Sequence, residues 1–118
     1  MRKLIAIPIF MLAAACGAPV SDADEAGSDW GKITELYVDA EVTVLRVRFS
    51  RDVVNPAGCE GADFYIRELD GSAASEQFLR IVVAAHLAER SVEFWINGCT
   101  QAQWWGMTRP HIYDIYIR

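Results

Sequence analysis

The sequence predicts a small, mainly β domain with one helix, in the element order β-β-β-α-β-β. Three observations lead to this fold class. One apolar segment has the period of a helix, and the segments on both sides of it alternate as strands do. Glycine- and proline-containing loops separate the strands. The length of 118 residues allows one domain.

The helix is predicted in the segment that begins near Ser72. The i, i+3, i+4, i+7 spacing of one helical face occurs at Phe78, Ile81, Val82 and Ala85. Ser72 or Ser75 is placed to cap the first turn, because a serine hydroxyl accepts a hydrogen bond from an unpaired backbone N–H. We expect Phe78 and Ile81 to face the core.

Alternation of apolar and polar residues predicts five strands. They are expected at residues 32–38, 42–49, 63–69, 92–97 and 111–117. Their core positions are expected to be Leu45, Val47, Phe49, Phe94 and Ile96. The order fits a five-stranded OB-like barrel, whose helix lies between the third and fourth strands. A sheet covered by one helix has the same order, but we favour the barrel because a closed sheet leaves no exposed edge.

The N-terminus has the pattern of an export signal. Arg2 and Lys3 precede a short apolar segment that cannot span a bilayer, and small residues lead to Cys16. Two cleavages fit this pattern. Lipoprotein processing would remove a signal peptide at residues 1–15 and leave Cys16 lipidated. Ordinary signal peptidase cleavage at an Ala-x-Ala site would release a secreted protein.

We expect the first of these, which predicts a lipoprotein of the bacterial cell envelope, on its periplasmic or surface side. Its membrane contact would be the lipid anchor. Residues 16–29 are then the lipidated cysteine and a disordered acidic tether, because they are small and acidic with almost no large apolar residue. The OB-like domain is expected at residues 30–118, beginning at Trp30.

The other two cysteines, Cys59 and Cys99, are expected to form a disulfide, because export leads to an oxidising compartment. The closed loop of about 40 residues would stabilise the fold by about 4 kcal/mol. A metal or redox site is the alternative. The chain has no CxxC motif, and His86 and His111 lack ligand spacing. We therefore expect neither a metal nor a cofactor.

The charge balance excludes one class of partner. The whole chain carries a formal net charge of −5, and removal of Arg2 and Lys3 with the leader leaves nine basic against sixteen acidic residues. The exported chain thus carries a charge of about −7, which repels the phosphate backbone of a nucleic acid.

The candidate ligand-binding residues are Trp95, Asn97, Trp104 and Trp105. Aromatic faces beside amide groups suit recognition of a sugar or a peptide. The alternative is that these tryptophans only pack within the fold. Arg46 and Arg48 share one strand face and form either a small anion site or a solvated surface. No catalytic residue is proposed, because the serines, histidines and carboxylates form no catalytic motif.

Together these features resemble the OB-fold B subunits of bacterial toxins, such as that of subtilase cytotoxin, and small secreted relatives. The resemblance is carried by Trp30-Gly31, a cysteine near the third strand, the helix at 78–87, the strand that starts Val92-Glu93-Phe94-Trp95, the tryptophan loop and the apolar last strand. It covers about residues 30–118 and implies glycan binding by a pentameric ring. The anchor and tether depart from it, since an anchored chain is not a diffusible toxin.

The sequence therefore predicts an exported binding domain rather than an enzyme, with a glycan or a peptide as ligand. The alternative is an envelope inhibitor or structural lipoprotein that acts through a protein partner. Either function is compatible with an oligomer.

Replacement of the proposed lipid attachment site tests the anchor. Cys16→Ser should move the protein from the membrane fraction to the soluble fraction, because no acyl chain can then be attached. Cell fractionation and the mass of the mature wild-type protein are the measurements. A soluble wild-type protein without acyl mass would establish ordinary secretion instead.

Overall fold

The computed structural model describes residues 24–118, a mainly β domain with one helix, as predicted. The elements are β1 (Glu25–Gly27), β2 (Ile33–Val38), β3 (Val44–Phe49), β4 (Tyr65–Glu68), α1 (Ala73–Leu87), β5 (Val92–Cys99) and β6 (Pro110–Ile117). The predicted signal peptide at 1–15, Cys16 and most of the predicted tether lie outside the described residues. Within residues 24–118, no helix is long and apolar enough to cross a bilayer.

The six strands form one open, mixed sheet in the order β1-β5-β6-β4-β3-β2. Neighbouring strands are antiparallel except β4 and β6, which are parallel and pair at Ile66 and His111. The predicted closed barrel of five strands is not confirmed. A sixth strand precedes the predicted ones, so the order is β-β-β-β-α-β-β.

The additional strand, β1, lies in the segment that the sequence assigned to the tether. Residues 25–27 pair with residues 95–97 of β5. Ser28 extends the contact, because its N–H donates to Phe94 O (2.8 Å) and its hydroxyl accepts from Phe94 N (2.9 Å). Ordered structure therefore begins before Trp30, the predicted start. Glutamate, alanine and glycine are all depleted in strands, so here the pairing with β5 decides their conformation.

The core lies between the curved sheet and α1. The predicted core residues Leu45, Val47, Phe94 and Ile96 are fully buried. Phe49 is partly buried, and its ring centroid lies 5.4 Å from that of Phe94. This contact joins β3 to β5 across the interior, although β4 and β6 separate these two strands in the sheet.

The helix presents a slightly different face from the predicted one. Val82 and Ala85 are buried and Phe78 packs against the core, but Ile81 is 44% exposed. The prediction that Ile81 shares the core is therefore wrong, because Ile81 lies at the margin of the buried face. Ser72 caps the helix, since its hydroxyl accepts from Ser75 N at 3.1 Å.

The predicted disulfide is confirmed. Cys59 and Cys99 are bonded, with their Cα atoms 5.6 Å apart and a separation of 40 positions in the sequence. The bond joins the loop before β4 to the last residue of β5. It therefore ties together the two long loops, which begin and end at the same edge of the domain.

The core assignment is tested at Phe94. Phe94→Ala should lower the free energy of unfolding by about 3–5 kcal/mol, because a fully buried ring is lost and a cavity remains. Leu87→Ala is the control: its side chain is 76% exposed, so the change should be below about 0.5 kcal/mol. Denaturant unfolding measures both. Equal small effects would place Phe94 on the outside of the sheet.

Candidate functional site

A long loop connects β5 to β6. We call residues 100–109 the tryptophan loop. Its tip is a tight turn in which Trp104 N donates to Met107 O (2.8 Å), and Trp105 and Gly106 have φ angles of 54° and 84°. Glycine suits the second of these positions because it lacks a Cβ. Trp105 has no such freedom, so the surrounding contacts must hold its backbone there.

Arg109 supplies the first of these contacts. Its side chain is only 4% exposed, and its guanidinium donates to Trp104 O (3.0 Å) and Trp105 O (3.1 Å). It also forms an ion pair with Asp63. Gly61 makes room for the guanidinium, since a Cβ there would lie 2.5 Å from Arg109 Nη1. One buried cation thus holds the backbone of both adjacent tryptophans.

Glu68, at the end of β4, holds the other side of the loop. Its carboxylate accepts from Gln101 N, Ala102 N and the indole Nε1 of Trp104, each at 3.0 Å. Partial burial by itself raises the pKa of Glu68, but these three donors and nearby His111 outweigh it and lower that pKa below its usual 4.5. Glu68 is therefore charged near neutral pH.

The base of the loop is held by the segment that follows Cys59. Thr108 N donates to Glu60 Oε1 (3.0 Å), and Gly61 N donates to Thr108 O (3.0 Å). The Cys59–Cys99 disulfide fixes this segment beside the start of the loop. The tip, the middle and the base of the tryptophan loop are therefore all bound to the rest of the domain.

The two adjacent tryptophans have different surroundings. Trp104 is half-buried and packs against Val44, Phe64 and Ile66 on the outer face of β3 and β4. Trp105 is 46% exposed, and its ring meets Tyr37 and Phe64 edge to face at centroid distances of 5.4 and 5.5 Å. Trp104 thus attaches the loop to the sheet, and Trp105 remains accessible.

Arg46 lies among these aromatic rings. Its Cζ is 4.7 Å from the Trp105 ring centroid, 5.1 Å from that of Tyr37 and 5.2 Å from that of Phe64. Such distances place the cation within the attractive range of all three rings. Glu35 contributes an ion pair at 3.8 Å. The interpretation of Arg46 as a solvated surface is wrong, because its side chain is only 16% exposed.

A surface groove of about 250 Å³ opens beside these rings. Its lining residues are Tyr37, Asp39, Val44, Trp104 and Trp105. We call it the tryptophan groove. The wall opposite the tryptophans is the turn between β2 and β3, where Asp39 accepts hydrogen bonds from Thr43 N (2.6 Å) and Val44 N (2.9 Å). The hydrogen bond from the Thr43 side chain lowers the pKa of Asp39, and this effect is larger than the opposing effect of burial.

Only two of the four predicted ligand residues reach this groove. Trp95 and Asn97 point outward from β5, where the Trp95 Nε1 donates to Glu25 on β1 (2.8 Å). The sequence missed Tyr37, Asp39 and Val44, which come from the β2–β3 hairpin. The one sequence feature that could have indicated this groove is Tyr37, an outward aromatic residue on β2. Its distance to the tryptophans, however, depends on the curvature of the sheet.

A second group of polar residues lies on the other side of Glu68. His111 is half-buried, and its Nε2 accepts from Glu68 N at 3.1 Å. Burial lowers the pKa of His111, nearby Arg67 lowers it further, and Glu68 opposes them in part. An open hollow of about 570 Å³ is lined by His111, Arg67, Glu68, Tyr113 and Gln101, among others. His111 is therefore a neutral hydrogen-bond acceptor at neutral pH.

His86 also has a structural role, since its Nδ1 lies within hydrogen-bond distance of Ile33 O, at 3.1 Å. Within residues 24–118, no three histidine, cysteine or carboxylate side chains are grouped closely enough to hold a metal ion.

Comparisons of this chain with models of known families, with curated proteins and with solved structures found no match.

His111 predicts a pH dependence of stability. Its folded-state pKa lies below the ordinary 6.5, so below that pH the unfolded chain binds a proton that the folded domain resists. The contribution of His111 to the free energy of unfolding should therefore be fully present above pH 6.5. It should decrease as the pH falls towards the folded-state pKa. Denaturant unfolding between about pH 7.5 and pH 5.5 measures this loss.

His111→Gln is the matched variant, because glutamine offers an acceptor but no titrating proton. It should show a smaller loss over the same range. Asp39, Glu68 and Asp70 have lowered pKa values and ordinary values of 3.8 to 4.5, so they act at more acidic pH. Parallel pH profiles of wild type and variant would contradict the assignment.

Proposed function

We propose that this protein is an exported, lipid-anchored binding module that holds a saccharide in the tryptophan groove. The observation that carries the proposal is the exposed ring of Trp105 on a loop that the domain holds in place. A rigid aromatic face loses little conformational entropy when a ligand stacks on it. The groove is therefore organised before a ligand arrives.

The proposal includes an OB-like barrel. In support, the two edge strands of the sheet, β1 and β2, are consecutive in the chain and pair with β5 and β3 respectively. Between them, Gly31 N donates to Val92 O (2.9 Å) and Val92 N donates to Gly31 O (2.8 Å). One bent segment thus borders both edges. If it is counted as a single strand, five strands remain.

The position of the groove agrees with this fold. OB-folds bind oligonucleotides and oligosaccharides with the face of their second and third strands and with the loops that follow the first and fourth. Here these correspond to the outer face of β3 and β4, the turn at 39–43 and the tryptophan loop. All three border the tryptophan groove.

Charge and chemistry favour a saccharide over a nucleic acid. The exported chain carries a charge of about −7, and the groove itself contains the ionised carboxylate of Asp39. A phosphate backbone would be repelled. A sugar ring instead offers an apolar face for Trp105 and hydroxyl groups for Asp39 and for the Tyr37 hydroxyl. The resemblance to toxin B subunits supports the same ligand class, although the anchor places the module on the bacterial envelope.

Binding of oligosaccharides tests this function. The exported protein, made soluble by Cys16→Ser, should bind members of an array of bacterial and host oligosaccharides. Trp105→Ala should weaken the binding at least tenfold, or about 1.4 kcal/mol, because the stacking face is lost. Trp95→Phe is the control and should bind as the parent does, since Trp95 lies outside the groove. Binding by Trp105→Ala at parental affinity would overturn the proposal.

A further inference from the structure

The outward face of β1, β5 and β6 lies outside the tryptophan groove and has a distinct composition of carboxylates and aromatic residues. Along β5, Phe94 and Ile96 are buried, so the alternate residues Glu93, Trp95 and Asn97 point away from the core. Their cross-strand partners complete the face: Glu25 on β1 lies opposite Asn97, and Asp114 and Tyr116 on β6 lie opposite Trp95 and Glu93. We call these six residues the acidic face.

The acidic face carries three carboxylates and no basic side chain. The ion pairs found within residues 24–118 involve other carboxylates. Glu25 accepts from the Trp95 indole (2.8 Å), and Glu93 accepts from Asp29 N (3.2 Å), so both carboxylates are held in position by neutral donors. None of the three carboxylates has an ion-pair partner among the described residues. Arg118, which follows Tyr116 on this side of β6, instead places its Cζ 4.1 Å from the Trp30 ring centroid.

Aromatic rings lie between the carboxylates. Trp95 is flanked by Gly27 on one side and Asp114 on the other, and Tyr116 is exposed beside Glu93. Glycine at position 27 keeps the surface open, because a Cβ there would lie 3.5 Å from Trp95 Cε3 and 2.6 Å from Glu93 Oε2. An aromatic face next to a carboxylate offers a cation two attractions at once.

We infer that the acidic face docks an extended, arginine-containing segment of a partner protein. The charge is complementary, and the guanidinium of arginine can both stack on an aromatic ring and pair with a carboxylate. The spacing also fits. Side chains on one side of a strand repeat at about 6.5–7 Å, so an extended peptide with arginine at every second residue matches the repeat along β5. This inference is independent of the proposed saccharide site, which lies on β2, β3 and the tryptophan loop.

An alternating arginine–serine octapeptide is the probe, and a glutamate–serine octapeptide of the same length is its control. Titration of the Cys16→Ser protein, followed by ¹H–¹⁵N NMR, should show shifts at residues 93–97 and 112–116 with the basic peptide only. The double variant Glu93→Gln and Asp114→Asn should bind at least tenfold more weakly, and added salt should weaken binding to the parent. Trp105→Ala should bind as the parent does.

The matched control separates this face from the overall negative charge of the protein. Glu41→Gln with Asp52→Asn removes the same charge from two exposed positions elsewhere. This control should change the affinity less than twofold. Equal weakening in the two double variants would overturn the inference, as would shifts that map to other surfaces or no binding at millimolar peptide.

Discussion

The buried guanidinium of Arg109 is the interaction on which the tryptophan loop depends. Taking a cation out of water costs several kcal/mol unless partners compensate. Here the partners are Asp63 and the carbonyl groups of Trp104 and Trp105, so compensation of the charge also fixes the loop backbone. The disulfide and Gly61 bring the opposite loop close enough to complete this arrangement. The exposure of Trp105 is thus a consequence of how one charge is buried.

Glu68 links this loop to the rest of the sheet. Its carboxylate binds the loop, and its backbone N–H donates to His111 on β6. The parallel pairing of β4 and β6 is short, and side chains add to the contact between these strands. His111 accepts from Glu68 N, and Arg67 donates to Ile112 O and Tyr113 O. Protonation of His111 would remove that acceptor and place a cation beside Arg67. The same short strand therefore connects a titrating group to the candidate binding surface.

The curvature of the sheet gives one small domain two separate outer surfaces. Phe49 of β3 and Phe94 of β5 meet inside the core, so the outward faces of these strands point in different directions. One surface holds Arg46 among aromatic rings beside the tryptophan groove. The other carries carboxylates around Trp95. The two surfaces therefore offer different groups to a ligand, and neither surface requires the other.

Sequence patterns were sufficient to predict the helix, five of the strands, most of the core and the disulfide. These follow from local periodicity and from a pair of cysteines, which need no knowledge of distant contacts. Two features depend on long-range contacts. The strand at Glu25–Gly27 has low strand propensity and forms by pairing with β5, and the solvent exposure of Ile81 depends on how the helix packs on the sheet. The tertiary structure also decided that Trp95 and Asn97 lie apart from Trp104 and Trp105. Sequence distance cannot show this, because residues two apart on a strand share a face, whereas residues across a loop are positioned by the contacts of Arg109 and Glu68.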